Sequence, residues 1–461
     1  MATPDITIVA PVPIEAGDER VIVEPSLFSS EAMLEALRSV KSQFVALSSC
    51  VRSFRALPES IYFMIDTLEG QDAVMVYADY VTVSAGVKNL VMLADPERYV
   101  VRDSFDFGPL LVMRTADALS ALSSAPANKC AAFYALTLGL QRIGELYHTG
   151  VPVGFVSDTD NRDSGIKQFD YVNPRYAVVQ KEMEAVFTEH LKAIGAYFPP
   201  ESRIPAKPHG DFQCRASVVI PVKNRVKTVA DAIMSALSQH TSFDYNVIVV
   251  DNHSTDGTTE LIDSIVADHD NVIHIMPQED NLGIGGCWNL AIANERCGKY
   301  AVQLDSDDLY SSPATLQTIV EKFAEKDYAL VVGSYRLVDF ALNELPPGVI
   351  DHKEWTDSNG FNNILRINGM GAPRAFSTSW LRKHPFPNVS YGEDYAAVLA
   401  ATRRYLVGRI FSVLYLCRRW GGNSDAGLTQ KAQAAHDAYK DKLRSDEISL
   451  RIELGKSATD K

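Results

Sequence analysis

The stretch Tyr245–Thr258, YNVIVVDNHSTDGT, decides the fold. Its apolar run, Val247–Val250, is too continuous for a strand with one wet face and too short for a helix. It reads as a strand buried on both sides, as in a parallel sheet. The run stops at Asp251, and a polar turn leads into the helix-like pattern TTELIDSIVADH. The same grammar repeats on either side. ASVVIPV (216–222) is a strand before the helix pattern VADAIMSALSQH, and VIHIMPQ (272–278) is a strand before GGCWNLAIANE. YAVQLD (300–305) is a fourth strand. Strands alternating with helices imply a parallel α/β sheet, in which ligands sit beyond the carboxyl ends of the strands. Pro221–Arg225, Asp251–Asp256 and Asp305–Asp308 all fall at such ends.

Acidic residues outnumber basic ones, 58 to 44, for a formal net charge of -14. Nucleic-acid backbones are held by clustered Lys and Arg, so no nucleic-acid partner is expected. Cys50, Cys130, Cys214, Cys287, Cys297 and Cys417 form no C-x-x-C pair and no zinc spacing, so free thiols are expected. No apolar run reaches about 18 residues and no basic-then-apolar leader opens the sequence. No membrane span and a cytoplasmic location follow as expectations. Pro199, Pro200, Pro205 and Pro208 mark a seam after the helix-like VVQKEMEAVFTEHLKAIGAYF. The expected division is an α/β domain over 1–205, a second domain over 206–430 and a helical tail over 431–461.

VQLDSDDLY (302–310) crowds Asp305, Asp307 and Asp308. Like charges this close raise one another's pKa when partly buried. Something positive is expected beside them, or else open water. Oxygen ligands suit Mg2+ or Mn2+. Asp251, just past a buried run, can accept from a base N–H or a ribose hydroxyl, while Ser254 or Asp256 can cap the next helix. Gly283, Gly285 and Gly286 lack G-x-G-x-x-G spacing and read as a tight helix entry ahead of a phosphate cradle. Glu393 and Asp394, in YGEDYAAVLAATRRY, are either a favourable acidic first turn or a general base. Arg418 and Arg419 are surface cations or partners of a leaving diphosphate; Trp420 is core or a flat face for a sugar ring.

VVIPVKNR, VIVVDNHSTDGT, NLGIGGCWN, LDSDD, YGED and CRRWGGNS occur in this order over about residues 215–425. Together they resemble the family 2 glycosyltransferases of GT-A fold. The resemblance implies a Rossmann-like, mostly parallel mixed sheet beside the N-terminal α/β domain. It also implies an inverting hexosyltransferase of polysaccharide biosynthesis, with a UDP- or GDP-linked nucleotide-diphospho-sugar donor and a glycan acceptor. Under it Pro221, Asn224, Arg225 and Asn281 line the nucleotide pocket and Asp251 binds the base. Asp305 contacts the ribose, Asp307 holds Mn2+ or Mg2+ on the diphosphate, and Arg419 stabilises the leaving group. Asp394 is the general base, with Glu393 beside it. Two positions depart from the family. Asn224 stands where many relatives carry Glu, and Trp420 where many carry a His metal ligand, which makes Asn423 or Asp425 candidate ligands. The alternatives are a sugar-nucleotide pyrophosphorylase, opposed by the glycine-free loop PVKNRVKTV, and a non-catalytic carbohydrate-binding or scaffold protein, opposed by the carboxylate set.

Residues 1–200 echo the second half. ITIVAPVP resembles SVVIPVKN, and DAVMVYADYVTV (72–83) parallels YALVVGSYRLVD (328–339). FGPLLVMRTADAL (107–119) parallels MGAPRAFSTSWL (370–381), and residues 132–154 parallel 393–415, which sets Ala132 and Phe133 at the places of Glu393 and Asp394. The N-terminal half therefore reads as a truncated, silent GT-A-like copy that binds a glycan, shapes the acceptor groove or mediates assembly, as against an unrelated α/β domain.

Overall fold

The computed structural model describes residues 4–17, 19–157, 177–367, 370–423 and 428–459; Asp425, a candidate ligand by sequence, lies outside them. Two compact units emerge. One is Met1–Tyr197 with Leu365–Ile367 and Asp441–Lys461; the other is Phe198–Ile364 with Asn368–Lys440. The boundary thus falls a few residues before the expected 205/206. The expected tail is helical, over Gln430–Thr459, but it is not a segment of its own, because from Asp441 onward it belongs to the first unit. Apart from Ser445 and Ile448, what it buries there is charged, so no apolar stripe announced it. Arg444 and Arg451 are fully enclosed and pair with Asp441 and Glu447.

In the second unit, strand Tyr245–Asp251 is buried from Asn246 on. It lies parallel between Ala216–Val222 and Val272–Ile275, and Ala216–Val222 is flanked on its other side by the parallel strand Tyr300–Gln303. Helices Val229–Leu237, Thr258–Asp268 and Ile284–Ala293 lie between these strands in sequence. The winding reverses between Ala216–Val222 and Tyr300–Gln303, so their carboxyl ends bound the crevice where such sheets bind ligands. Val218, Ile220, Val247, Val249 and Val302 join Ile233, Ile262 and Phe323 in one core. Each such side chain contributes about 1.5–3 kcal/mol on burial.

Parallel pairing does not continue throughout. Arg374–Ser377 runs antiparallel to both Tyr300–Gln303 and Leu330–Val338. Leu330–Val338 pairs parallel with Val407–Arg418 and antiparallel with Glu344–Ile350, and Leu309–Tyr310 closes the edge antiparallel. The sheet is mixed rather than mostly parallel. The regular strand–helix alternation that suggested otherwise ends near residue 305.

Among the described residues the first unit holds two sheets. The larger runs Arg20–Val23, Ile6–Ala10, Phe44–Ser48, Leu110–Arg114, Met75–Ala78, Leu146–Thr149. Its pairings are parallel, parallel, antiparallel, antiparallel and parallel. The same senses run in the same order from Tyr245–Asp251 through Ala216–Val222, Tyr300–Gln303, Arg374–Ser377 and Leu330–Val338 to Val407–Arg418. The smaller sheet, Phe54–Ala56, Gly154–Ser157, Tyr80–Ser84, Val87–Val91, repeats the pairing of Leu309–Tyr310, Val407–Arg418, Leu330–Val338 and Glu344–Ile350. Where the first unit splits into two sheets, the second has bulges around Ser334. Among the described residues, one helix, Ser30–Ser39, lies between Ala10 and Phe44.

Register sharpens the comparison. Phe44 faces Arg114 and Leu47 faces Leu111, as Tyr300 faces Ser377 and Val302 faces Ala375. Leu47 and Leu111 therefore stand at the positions of Gln303 and Arg374. The parallel drawn for 72–83 slips by one residue, since Met75 faces Met113 as Leu330 faces Phe376. Met75–Ala78 is buried on both faces, so no polar alternation fixed its register in the sequence.

Candidate active site

Asp251 ends its strand with no accessible surface. Its carboxylate accepts from the Ser254 N–H at 3.0 Å and the Thr259 hydroxyl at 2.5 Å, and His274 Nε2 lies 3.8 Å away. This corrects the expected contact with a base: a ligand could reach Asp251 only by displacing its own turn. Asp256, the expected cap, accepts from the backbone N–H of Thr258 and of Val226. Asn224, at φ 53°, is exposed and accepts from the Thr255 N–H at 2.7 Å, lacing the first strand end to the second. Asn is among the few residues that tolerate this backbone region. Pro221 remains inside its strand opposite Val250, and Asn281 is exposed.

The D-x-D turn is where the chain's crowded acids find their partners. Asp308 Oδ1 accepts the Arg418 N–H at 2.7 Å, while the Arg418 guanidinium bonds the Asp307 carbonyl and reaches Asp231 at 2.8 Å. Arg418 is buried, so it builds the turn instead of facing a ligand. Burial raises the Asp308 carboxyl far above its ordinary value, with Asp305 and Asp307 adding to it. Asp305 is raised too, by burial first, while Gln303 pulls the other way through bonds of 3.0 and 3.1 Å. Asp307 Oδ2 accepts from Trp420 Nε1 at 3.0 Å and Asn423 Nδ2 at 3.1 Å, and Arg225 Nε stands 4.0 Å away. Arg225 also donates to the Gly422 carbonyl. Trp420 is thus a hydrogen-bond donor to Asp307, edge-on to Phe340 at 5.5 Å. Arg419 is half-buried, its N–H on the Val338 carbonyl.

Glu393 and Asp394 open helix Glu393–Arg404 behind Gly392, whose φ of 79° lets the chain turn into the site. Asp394 Oδ2 is ion-paired with Arg374, and 29% of its side chain stays accessible. Burial pushes its carboxyl up, but Arg374 and Lys440 outweigh burial and hold it below the usual range. Arg374 donates a second bond to Gln303 Oε1 at 2.9 Å. The sequence did not single out Gln303 or Arg374, yet they join Asp394 to Asp305.

Glu393 is buried, and among the described residues its Oε2 has no hydrogen-bond partner. Burial, then the neighbouring Asp394 charge, pushes its carboxyl to about 8. The folded value lies above the unfolded one, so the stability involved is complete below about 4.5 and is lost as pH rises toward 8. Glu393→Gln cannot ionise and is expected to flatten the fall in melting temperature between about pH 5 and 8. The gain is greatest at the alkaline end, at about 1.4 kcal/mol for each tenfold difference in proton affinity between the folded and unfolded chain. Melting curves that keep the wild-type slope would refute this.

The glycine segment has a structural task. A Cβ on Gly285 would lie 2.0 Å from the Pro387 carbonyl, and one on Gly283 2.5 Å from Val389. The Gly283 and Gly285 N–H groups donate to Asn388 and Val389. The tight-entry reading is the one observed, with the helix start packed on the segment that leads to Glu393.

Among the described residues, no three His, Cys, Asp or Glu side chains converge on a metal position. The Asn423 amide is engaged at both ends, its oxygen accepting the Trp420 N–H at 2.7 Å and its nitrogen donating to Asp307. One donor remains. Trp420 and Asn423 hold Asp307 by Oδ2, and Oδ1 makes no hydrogen bond to the described residues. A single carboxylate oxygen fits Mg2+ or Mn2+, which complete their shells with phosphates and waters. Mn2+ alone is therefore expected to leave the melting temperature unchanged, and to add stability only once a nucleoside diphosphate is present. A shift with Mn2+ alone would show a metal site independent of the nucleotide.

Residues 217–386 match the model of glycosyl transferase family 2. An uncharacterized glycosyltransferase of Rickettsia felis is 28% identical over 213 residues, 46% of this chain and 34% of that protein. A chondroitin synthase of Pasteurella multocida is 28% identical over 171 residues, 32% of this chain and 17% of that protein. The chain spans about a third or less of these relatives' own length. Of solved structures, S. aureus TarS 1–349 with UDP-GlcNAc is 21% identical at TM-score 0.38, covering 47% of this chain and 62% of that one. A Pyrobaculum calidifontis mannosyltransferase with GDP-Man and Mn2+ is 15% identical at TM-score 0.37, covering 62% and 84%. No helix among the described residues is long and apolar enough to cross a membrane. The matched segment builds both the parallel strands and the D-x-D turn at their ends, and over that segment the chain is similar to glycosyl transferase family 2.

Proposed function

We propose that the second unit moves a hexosyl group from a nucleotide-diphospho-sugar to a glycan hydroxyl, with inversion at the anomeric carbon. One observation carries this reading: a part-exposed ionised carboxylate, Asp394, is tied through Arg374 and Gln303 to Asp305 at the crevice. The nucleotide, UDP- or GDP-linked, lies against Pro221, Asn224, Arg225 and Asn281 with its ribose on Asp305. Asp251 serves it indirectly by holding the 251–259 turn. Asp307 Oδ1 would hold Mn2+ or Mg2+ with the diphosphate, and the cation supplies positive charge to the leaving group. Asp394 takes the acceptor hydroxyl's proton as that oxygen attacks the anomeric carbon opposite the diphosphate. The bond to the diphosphate breaks with its electron pair, and Arg225 and Arg419 balance the charge that develops.

The first unit we propose to be a catalytically silent GT-A-like copy that binds a glycan or mediates assembly. Leu47, Leu111 and Phe133 stand at the places of Gln303, Arg374 and Asp394, and Ser48–Phe54 carries no carboxylate.

The test is thermal stability with UDP, GDP, CDP and dTDP, each with and without Mn2+. A ligand at 100 times its Kd adds about 2.7 kcal/mol. One diphosphate should stabilise, more so with metal, and its base names the donor. No shift with any of them refutes the transferase reading.

A further inference from the structure

We propose that Gln303 and Arg374 are positioning residues for transfer: Gln303 fixes the Arg374 guanidinium, and Arg374 aims Asp394 while linking it to Asp305. The proposal rests on the transferase reading and names how its base is held.

Gln303 ends its strand with its side chain shared between two duties. Its Oε1 accepts from Arg374 Nη1 at 2.9 Å and from the Arg374 backbone N–H at 3.1 Å, while Nε2 donates to both oxygens of Asp305. Arg374 Nε is fastened to the Met370 carbonyl at 2.8 Å, which leaves Nη2 for Asp394 Oδ2. With these bonds formed, the guanidinium plane is set, and the carboxylate it meets has its orientation set too. An Arg fork transmits direction in a way a Lys ammonium does not.

The charges around Asp394 come from four elements. Arg374 lies on the neighbouring strand, Lys440 on helix Gln430–Thr459, Glu393 on Asp394's own helix, and Asp305 on the D-x-D turn. Lys440 leans over the Tyr391 ring at 4.5 Å. Burial works against the Arg374 charge, yet Asp394, Asp305 and Glu393 raise it above its ordinary value. A cation so enclosed by carboxylates stays charged and keeps Asp394 ionised.

The chain contains its own control. In the first unit's sheet the same cross-strand position is Leu47 against Leu111, and Phe133 stands in the place of Asp394. A pair of leucines satisfies that sheet. The strand pairing therefore does not require the amide and the guanidinium, and the first unit lacks all three members together.

The test uses the full chain carrying Arg374→Gln, Arg374→Lys, Gln303→Leu, or Gln303→Leu with Arg374→Leu, the last copying the first unit's pair. Two readouts are taken: the Asp394 carboxyl titration by carbon-13 NMR, assigned with Asp394→Asn, and the pH profile of kcat. Removing Arg374 is expected to raise the Asp394 pKa by about 1–3, the reach of an opposite charge at contact distance. The active form is the carboxylate, so the acid limb of kcat moves up with it and activity partly returns at higher pH. Arg374→Lys recovers the pKa but only part of kcat, because aim is lost while charge is kept. A uniform loss at every pH with an unmoved carboxyl overturns the proposal in favour of a purely structural role. So does full activity in the double-leucine chain. The titration answers even if the wild type transfers no sugar; a moved carboxyl without transfer would sink only the transferase reading.

Discussion

Asp394→Asn is expected to lower kcat by about 10²–10⁴, the usual worth of a general base. The amide is nearly the same size, and its oxygen can keep the bond from Arg374, so the fold should stand. What it cannot do is accept the acceptor's proton. Nucleoside diphosphate binding is expected to persist, because the pocket around Arg225 and Asp305 is untouched. Steady-state rates beside melting shifts with the diphosphate check both halves. Near-normal turnover would move the base elsewhere, with Glu393 the first candidate. A simultaneous loss of nucleotide binding would mean that the Asp305 link is rigid enough to carry the damage across.

Asp307→Asn should act on the leaving group instead. Trp420 Nε1 and Asn423 Nδ2 both donate to the Asp307 carboxylate. An Asn side chain there must turn its oxygen toward those two donors, which points its NH2 at the place of the cation. The substitution thus replaces a ligand with a donor and leaves the surrounding bonds in place. The Mn2+-dependent part of nucleotide stabilisation is expected to vanish, and kcat/KM to fall by about 10²–10³, the scale of a lost electrostatic stabiliser. If Mn2+ still adds stability in the presence of nucleotide, Asp307 is not its ligand.

Much of the second unit is legible in the amino-acid order alone. Continuous Val and Ile runs place buried strands, and the acids just past them mark the crevice, because a strand end is where a side chain leaves the core. Burial itself was not legible. Asp251 and Asp305 look alike in sequence, each one carboxylate after an apolar run, but only Asp251 is closed off by Thr259 and Ser254. Gln303 reads as a polar interruption of a buried strand, and Arg374 as one cation in a run of small residues. Their meeting across 71 positions depends on the antiparallel strand that inserts beside Tyr300–Gln303. Trp420 could be read as core or as a sugar platform, but the chemistry it uses is its one N–H. The mixed half of the sheet was reached only through the family resemblance, because its strands follow hairpins and bulges that break the strand–helix rhythm.

The make-up of the first unit has a consequence for how the protein is made. Arg102 is paired with Asp441, 339 positions later, and Asp103 with Arg366. Ribosomes add about 5–20 residues per second, so a nascent first unit waits on the order of tens of seconds for these partners. What is synthesised first is completed last, after nearly all of the second unit has emerged. A premature stop near residue 430 would therefore take Lys440 from beside Asp394 and also injure the first unit, leaving Arg102 without its carboxylate and that unit open to chaperones and proteases.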